Sequence, residues 1–280
     1  MKQHIERIIQ LGWTSSDHFN VIDSGWSNIV VEVNQQQIFR FPRQITPQFE
    51  VEKTFLKMFA PISPIPVPIL EESPADFMTY KRLKGERFAP EKFWPLSTLK
   101  QEAVIRQLAD FLTALHTVEF NHPNFAEFPY GGSDFWQDLW PYVADNLSTK
   151  ARLNAQNYFY KILDQIEQTP FRRSIVHADL GTNNTLVDFN SATITGIIDF
   201  SDMCWGDPAA DFASYFKHFG KDFTQKLINT YQRPVESNFW PRIEFQAKRK
   251  LFFIAYFAQN YGFQEHLPWV INQIEEQFTD

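Results

Sequence analysis

A chain of 280 residues with 44% hydrophobic and 16% aromatic side chains, 29 of them Phe, has a composition that excludes intrinsic disorder. Its formal charge of -7 argues against a protein that tracks nucleic-acid phosphates, which needs a cationic surface, and leans toward a cationic partner. One cysteine, Cys204, permits no internal disulfide, and no CxxC or HExxH spacing points to a metal cage.

The length suits one large domain or two apposed lobes. The amino-terminal stretch carries scattered charges and no apolar h-region, and the longest apolar run, 251–258, is too short to span a bilayer. A cytoplasmic, monomeric protein that engages neither membrane nor nucleic acid is expected.

In chain order, Ile5, Ile8, Ile9 and Leu11 predict a short amphipathic helix. Segments 19–23, 28–33 and 37–41 are β-branched and aromatic, with Gly25 and Asn34-Gln35 at the turns, so an antiparallel meander follows. Val51, Phe55, Leu56 and Phe59 mark one face of a helix. Prolines at 61, 64, 66 and 68 then forbid a helix or a central strand. Segment 77–83 reads as a strand running into a crossing point at Lys84-Gly85-Glu86. Beyond Pro95 the periodicity turns helical: one long helix ends near His116, and others are expected around 158–166, 223–231 and 245–258. The exception is 174–200, where short apolar runs flank a polar loop and predict one embedded hairpin. The expectation is an α+β chain, with a strand-rich lobe over 1–84 and a mainly helical lobe over 85–280.

The polar loop is His177-Ala178-Asp179-Leu180-Gly181-Thr182-Asn183-Asn184, with Asp199 ending the next strand in GIIDF. Phosphoryl transfer needs an acceptor group that orients the attacking hydroxyl, and oxygen ligands that hold Mg²⁺ against the phosphates. Asp179, Asn184 and Asp199, brought together by a hairpin, supply those parts.

HADLGTNN followed by GIIDF resembles the catalytic loop and metal-binding segment of the aminoglycoside phosphotransferase family, related to the protein kinases, and leans toward its 2″-type members. The resemblance implies a bilobal protein-kinase-like fold, with an antiparallel sheet in the first lobe. It makes Asp179 the catalytic base, Asn184 and Asp199 the Mg²⁺ ligands, and His177 an orienting residue. Gly25-Trp26-Ser27-Asn28 stands where the family has its nucleotide-covering loop, giving Ser27 and Asn28 as nucleotide contacts, although neither GxGxxG nor GxxxxGK[ST] is present. Arg40 occupies the place of the phosphate-binding Lys, with Arg43 as the alternative and Glu52 as the acidic partner. Arg suits that role through its planar fork and permanent charge. FMTYKRLKGE resembles the hinge, with Lys81 and Leu83 as nucleobase contacts and no choice between ATP and GTP. Asp207 and Asp211 are expected to hold the loop and cap a helix, and His116 to pack or cap.

The implied reaction is Mg²⁺-dependent phosphorylation of an aminoglycoside or similar aminated molecule, with Asp202, Glu236, Glu244, Glu265 and Asp134 as candidate carboxylates for its ammonium groups. The same fold serves macrolide, choline, homoserine and sugar-amine kinases, so a metabolic kinase is the second reading and a non-catalytic nucleotide-binding protein the third.

Overall fold

The computed structural model describes residues 2–23, 25, 27–125, 133–260 and 263–279; for 133–138 and Glu167 it describes the backbone alone. The chain opens with α1 (Lys2–Gln10), then β1 (Phe19–Ile22), β2 (Asn28–Val33), β3 (Gln37–Pro42), α2 (Pro47–Phe59), β4 (Leu70–Glu72), β5 (Met78–Lys81) and β6 (Glu86–Arg87). It continues through α3 (Pro90–Phe93), α4 (Thr98–Thr117), α5 (Ser133–Ala144), α6 (Thr149–Gln168), β7 (Ser174–Val176), β8 (Thr185–Asp188), β9 (Thr193–Ile197) and β10 (Cys204–Gly206). It closes with α7 (Ala210–Thr230), α8 (Phe239–Asn260), a 3₁₀ turn (Gln264–His266) and α9 (Leu267–Thr279). This is the expected mixed architecture.

The chain packs as two compact units. One comprises 1–126, 179–203 and 226–232; the other comprises 127–178, 204–225 and 233–280. The lobe boundary expected at 84/85 falls inside the first.

In the first unit the five-stranded sheet has the order β1-β2-β3-β5-β4, and every pair is antiparallel. The alternation of β2 and β3 turns Val31, Val33, Phe39 and Phe41 onto Ile8 of α1 and Phe77, which forms a small buried cluster. β4 follows the proline run and lies at the sheet edge. A separate three-stranded sheet has the order β6-β8-β9.

The second unit is built from helices. Its core joins Leu139 and Val143 of α5, Ala155 and Phe159 of α6, Phe252 of α8 and Ile274 of α9. The abundance of Phe is explained by ring-on-ring packing: Phe159 meets Phe252 with centroids 4.9 Å apart and Phe245 at 5.6 Å, each such pair adding about 0.5–1.5 kcal/mol beyond burial.

Two expectations need correction. The strand ending in Val176 does not pair with the one that follows the polar loop; β7 pairs with β10, while β8 pairs with β9 and β6. Strands of two or three residues carry too little periodicity for sequence to choose their partners. The strand expected over 77–83 is confined to β5, because the hinge residues beyond it leave the ladder.

Candidate active site

The first unit assembles its polar centre around Arg40 on β3, which is buried. Its Nη1 pairs with Glu52, which α2 presents from the same helix that buries Phe55 and Phe59. Its Nη2 lies 3.0 Å from Asp199 Oδ1. Asn28 of β2 satisfies its neighbours only with its amide oxygen toward Arg40, where it accepts from Nη2 at 2.8 Å and Nε at 3.1 Å. Burial alone draws the guanidinium pKa down, but Glu52 and Asp199 outweigh it and the net displacement is upward. Burial likewise pushes the neighbouring Tyr80 phenol upward, opposed by Arg40 and assisted by Asp199 and Glu52.

Asp199 is positioned by the residue after it. Phe200 is fully buried against Phe55 and Phe59, with centroids 5.9 and 6.5 Å away. Gln48 of α2 adds a hydrogen bond to Met203 O at 2.7 Å. Helix α2 thereby fixes both Glu52 and the segment carrying Asp199. Asp199 itself has φ 65°, the left-handed region that Asp tolerates better than most residues, and Ser201 Oγ donates to its Oδ1 at 2.9 Å.

Asp179 and Asn184 are joined directly. Asn184 Nδ2 donates to Asp179 O at 2.8 Å and to Asp179 Oδ2 at 2.9 Å. Asn184 precedes β8 and Asp199 follows β9, and the pairing of Thr185 with Ile197 brings those two ends together. Ile198 N donates to Asn184 O at 3.0 Å. A continuous path therefore runs from Asp179 through Asn184 and the Ile198–Asp199 backbone to Arg40 and Glu52.

The remaining first-unit candidates are more dispersed. Arg43 donates Nε to Gly25 O at 2.9 Å and Nη2 to Asp23 O at 2.6 Å, so its guanidinium is tied to the β1–β2 loop. A Cβ at Gly25 would lie 2.9 Å from Asn28 O, which explains glycine in so closed a turn. Ser27 is exposed, and its carbonyl accepts from Arg43 N; Trp26 lies outside the described residues. Lys81 ends β5 in register with Gln37 and pairs with Glu71 at 3.9 Å. Just beyond, neither N–H nor C=O of Leu83 makes a backbone–backbone hydrogen bond among the described residues.

The second unit supports the loop's entry. Asp211, in the first turn of α7, accepts from His177 N and Ala178 N, both at 2.9 Å. Ala178 has φ 64°, so Asp211 holds a strained backbone there. Asp207 accepts from Ala209 N at 3.0 Å and from Arg242 Nε at 3.0 Å. Arg242, buried in α8, went unmarked in the sequence, although its place between Phe239 and Ile243 puts it on an apolar helical face. In the first unit, His116 packs as expected, its Nδ1 2.7 Å from Tyr231 OH.

The carboxylates expected for a cationic substrate divide. Glu236 is committed to Arg172 N at 3.0 Å and Arg242 Nη2 at 3.0 Å, which makes it structural. Glu244 accepts from Trp240 Nε1 at 3.0 Å. Asp202 and Glu265 are exposed, and the side chain of Asp134 lies outside the described residues.

The donor set around Asp179 suits a hard cation. With Asn184 Nδ2 turned to Asp179, the amide carbonyl is the side-chain atom left to meet an ion, and Asp199 adds a carboxylate whose side chain is 44% exposed. Among the described residues no three His, Cys, Asp or Glu side chains gather into a closed cage. A partial set of this kind fits Mg²⁺, which binds through one or two protein oxygens plus substrate phosphates.

Residues 18–245 match the phosphotransferase enzyme family. Among curated proteins, the viomycin phosphotransferase of Streptomyces vinaceus is 25% identical over 130 residues, 45% of each chain. Protein YcbJ of Bacillus subtilis, uncharacterised, is 26% identical over 149 residues, 50% of this chain and 46% of its own. The matches thus span under half the length of these relatives. Among solved structures, the GDP and kanamycin complex of APH(2″)-IIIa aligns over 98% of this chain and 97% of its own, with TM-score 0.79 and 18% identity. Macrolide 2′-phosphotransferase type I aligns over 98% and 96%, with TM-score 0.77 and 22% identity.

Proposed function

Given that the chain belongs to the phosphotransferase enzyme family, we propose that it is a small-molecule kinase. It transfers the γ-phosphoryl group of ATP or GTP, with Mg²⁺, to a hydroxyl of an aminoglycoside or similar aminated compound. The observation that carries this reading is the hydrogen-bonded path from Asp179 through Asn184 to Asp199 and Arg40 within one packed unit.

In this reading Asp179 accepts the proton of the acceptor hydroxyl as its oxygen bonds to the γ-phosphorus and the bridging oxygen leaves with the diphosphate. Asn184 holds that carboxylate in place through Nδ2. When bound, Mg²⁺ neutralises phosphate charge, and Asn184 Oδ1 and Asp199 are the groups that hold it. Arg40 meets the phosphates with its fork oriented by Glu52 and Asn28, while Arg43 shapes the loop that carries Ser27. The Leu83 backbone and the end of β5 at Lys81 receive the nucleobase.

The aminated acceptor rests on the names of relatives that bind or modify such compounds and on the net negative charge. A second reading, a macrolide or other weakly charged acceptor, is favoured by the macrolide phosphotransferase structure and by the commitment of Glu236 to Arg242. The test is ATP and GTP consumption with aminoglycosides, macrolides, choline and homoserine as acceptors, with ³¹P NMR to detect the phosphomonoester. A new phosphomonoester on an aminoglycoside is expected. Product on a macrolide alone would move the acceptor class, and a folded protein that neither turns over nor binds Mg²⁺-nucleotide would overturn the kinase assignment.

A further inference from the structure

Within the second unit, helices α7, α8 and α9 line an open pocket of about 310 Å³ formed by Phe216, Lys217, Glu244, Ala247, Lys248 and Gln277. That volume reaches the lower end of small-molecule sites, roughly 300–1,000 Å³. Its polar lining is unusual for what it leaves unanswered. Among the described residues neither Lys217 nor Lys248 has a carboxylate within ion-pair distance. Gln277 Nε2 is buried with no acceptor. Just behind the lining, the Tyr158 hydroxyl is also buried without a partner. The one carboxylate, Glu244, is engaged by Trp240 Nε1.

The lining holds one ring, Phe216, and further rings pack near it. Phe216 and Trp240 meet edge to face at 5.6 Å, and the Lys248 ammonium stands 5.3 Å from the Tyr158 ring and 5.0 Å from that of Phe278. Rings of this kind stabilise an ammonium through their faces but supply no lone pair, so its hydrogens still lack acceptors. Burial holds both ammoniums below the ordinary lysine value, with Lys250 adding to the effect at Lys217 and Glu244 opposing it at Lys248. One exposed and one half-buried lysine and a buried amide donor around one space, with the Phe216 ring beside them, are complementary to an acceptor-rich group on a flat apolar body.

We infer that this cavity is a binding site for a small organic anion, a carboxylate carried on an aromatic or similarly flat apolar body, recognised by Lys217, Lys248 and Gln277. The inference stands on the second unit alone and holds whatever hydroxyl the first unit phosphorylates.

The test is calorimetric titration of the full chain with benzoate and with benzylamine, which share a ring and differ in charge. Saturable benzoate binding with a Kd of about 1 mM or tighter is expected for a fragment this small. Benzylamine should bind at least tenfold more weakly, and a Lys217→Met/Lys248→Met variant should lose about tenfold or more in benzoate affinity. Lys217→Gln alone, a milder change, should lose part of it should the double variant fold poorly. Preference for benzylamine would assign the cavity to Glu244 and overturn the inference. Absence of saturation by either probe, or benzoate affinity unaltered in a folded lysine variant, would overturn it as well.

Discussion

Arg40 and Arg242 are both buried guanidiniums gripped by two carboxylates, yet they sit in different kinds of surroundings. Around Arg242 every guanidinium nitrogen is engaged and the side chain itself is 1% exposed: Asp207 and Glu236 accept from Nε and Nη2, Asn238 accepts from Nη1, and the rings of Phe171 and Phe239 lie 4.4 and 5.3 Å from the guanidinium carbon. Around Arg40 one carboxylate, Glu52, is sealed, while Asp199 is 44% exposed on a left-handed backbone. A closed network spends its charge on holding helices together, whereas an open one keeps a cation and a carboxylate oriented toward whatever arrives. The pair separates scaffold from site by exposure rather than by residue type.

The largest effect belongs to the open region. Asp179→Asn keeps an oxygen to accept from Asn184 Nδ2 but removes the base, so kcat should fall by about 10²–10⁴ while Mg²⁺-nucleotide affinity and Tm stay near parental values. Steady-state kinetics and calorimetry on the same preparation check this. A folded variant with near-parental kcat would return Asp179 to the role of a turn former.

The comparison itself is sharpened by paired arginine changes. Arg242→Met strands Asp207 in the interior and leaves the partly exposed Glu236 without its cation, and urea unfolding should show a loss of about 3–5 kcal/mol. Its kinetic constants, measured where the variant is folded, should change little. Arg40→Lys keeps the charge but gives up the fork that serves Glu52, Asp199 and Asn28 together. Catalytic efficiency should fall more than stability does. The reverse pattern would erase the distinction between the two networks.

How much of this was legible in the sequence follows from which distances the chain itself sets. Asp179 and Asn184 are five positions apart in one loop, and Asp199 closes the next hairpin, so spacing alone points to their meeting. Arg40, Glu52 and Asn28 come from β3, α2 and β2, successive local elements, and family resemblance sufficed to group the first two. The contact of Asn28 with Arg40 was not anticipated, because it joins side chains two register positions apart on neighbouring strands. The pairing of β7 with β10, and the network that draws Glu236 to Arg242, depend on long-range packing. No local periodicity encodes either.

A smaller effect follows from the backbone at Asp199. With φ 65°, alanine there carries a strain of about 1–2 kcal/mol that glycine does not. Both Asp199→Ala and Asp199→Gly should lose Mg²⁺-nucleotide affinity, but the glycine variant should unfold at higher urea. Equal midpoints would place the variants' backbone outside the left-handed region, and the observed conformation would then belong to the Arg40 contact.

The smallest effect tests the closed network by pH. Burial alone would raise the Glu236 pKa, but the Arg172 N–H and Arg242 outweigh it and hold the carboxyl below its ordinary value. Its contribution to stability is therefore present above the unfolded-state value and is lost as pH falls through the folded one. Asp207 is displaced the other way: burial raises it despite Arg242 and the Ala209 N–H, so its protonation favours the folded state as pH falls. The two carboxylates of one arginine thus pull the acid limb in opposite directions. Thermal unfolding followed from roughly pH 6 to pH 3 should show a shallower loss of Tm in Glu236→Gln and a steeper one in Asp207→Asn, each relative to the parent. A shallower limb in both would mean that Arg242 holds Asp207 ionised as firmly as Glu236, and that the network is stabilised by charge on both of its arms.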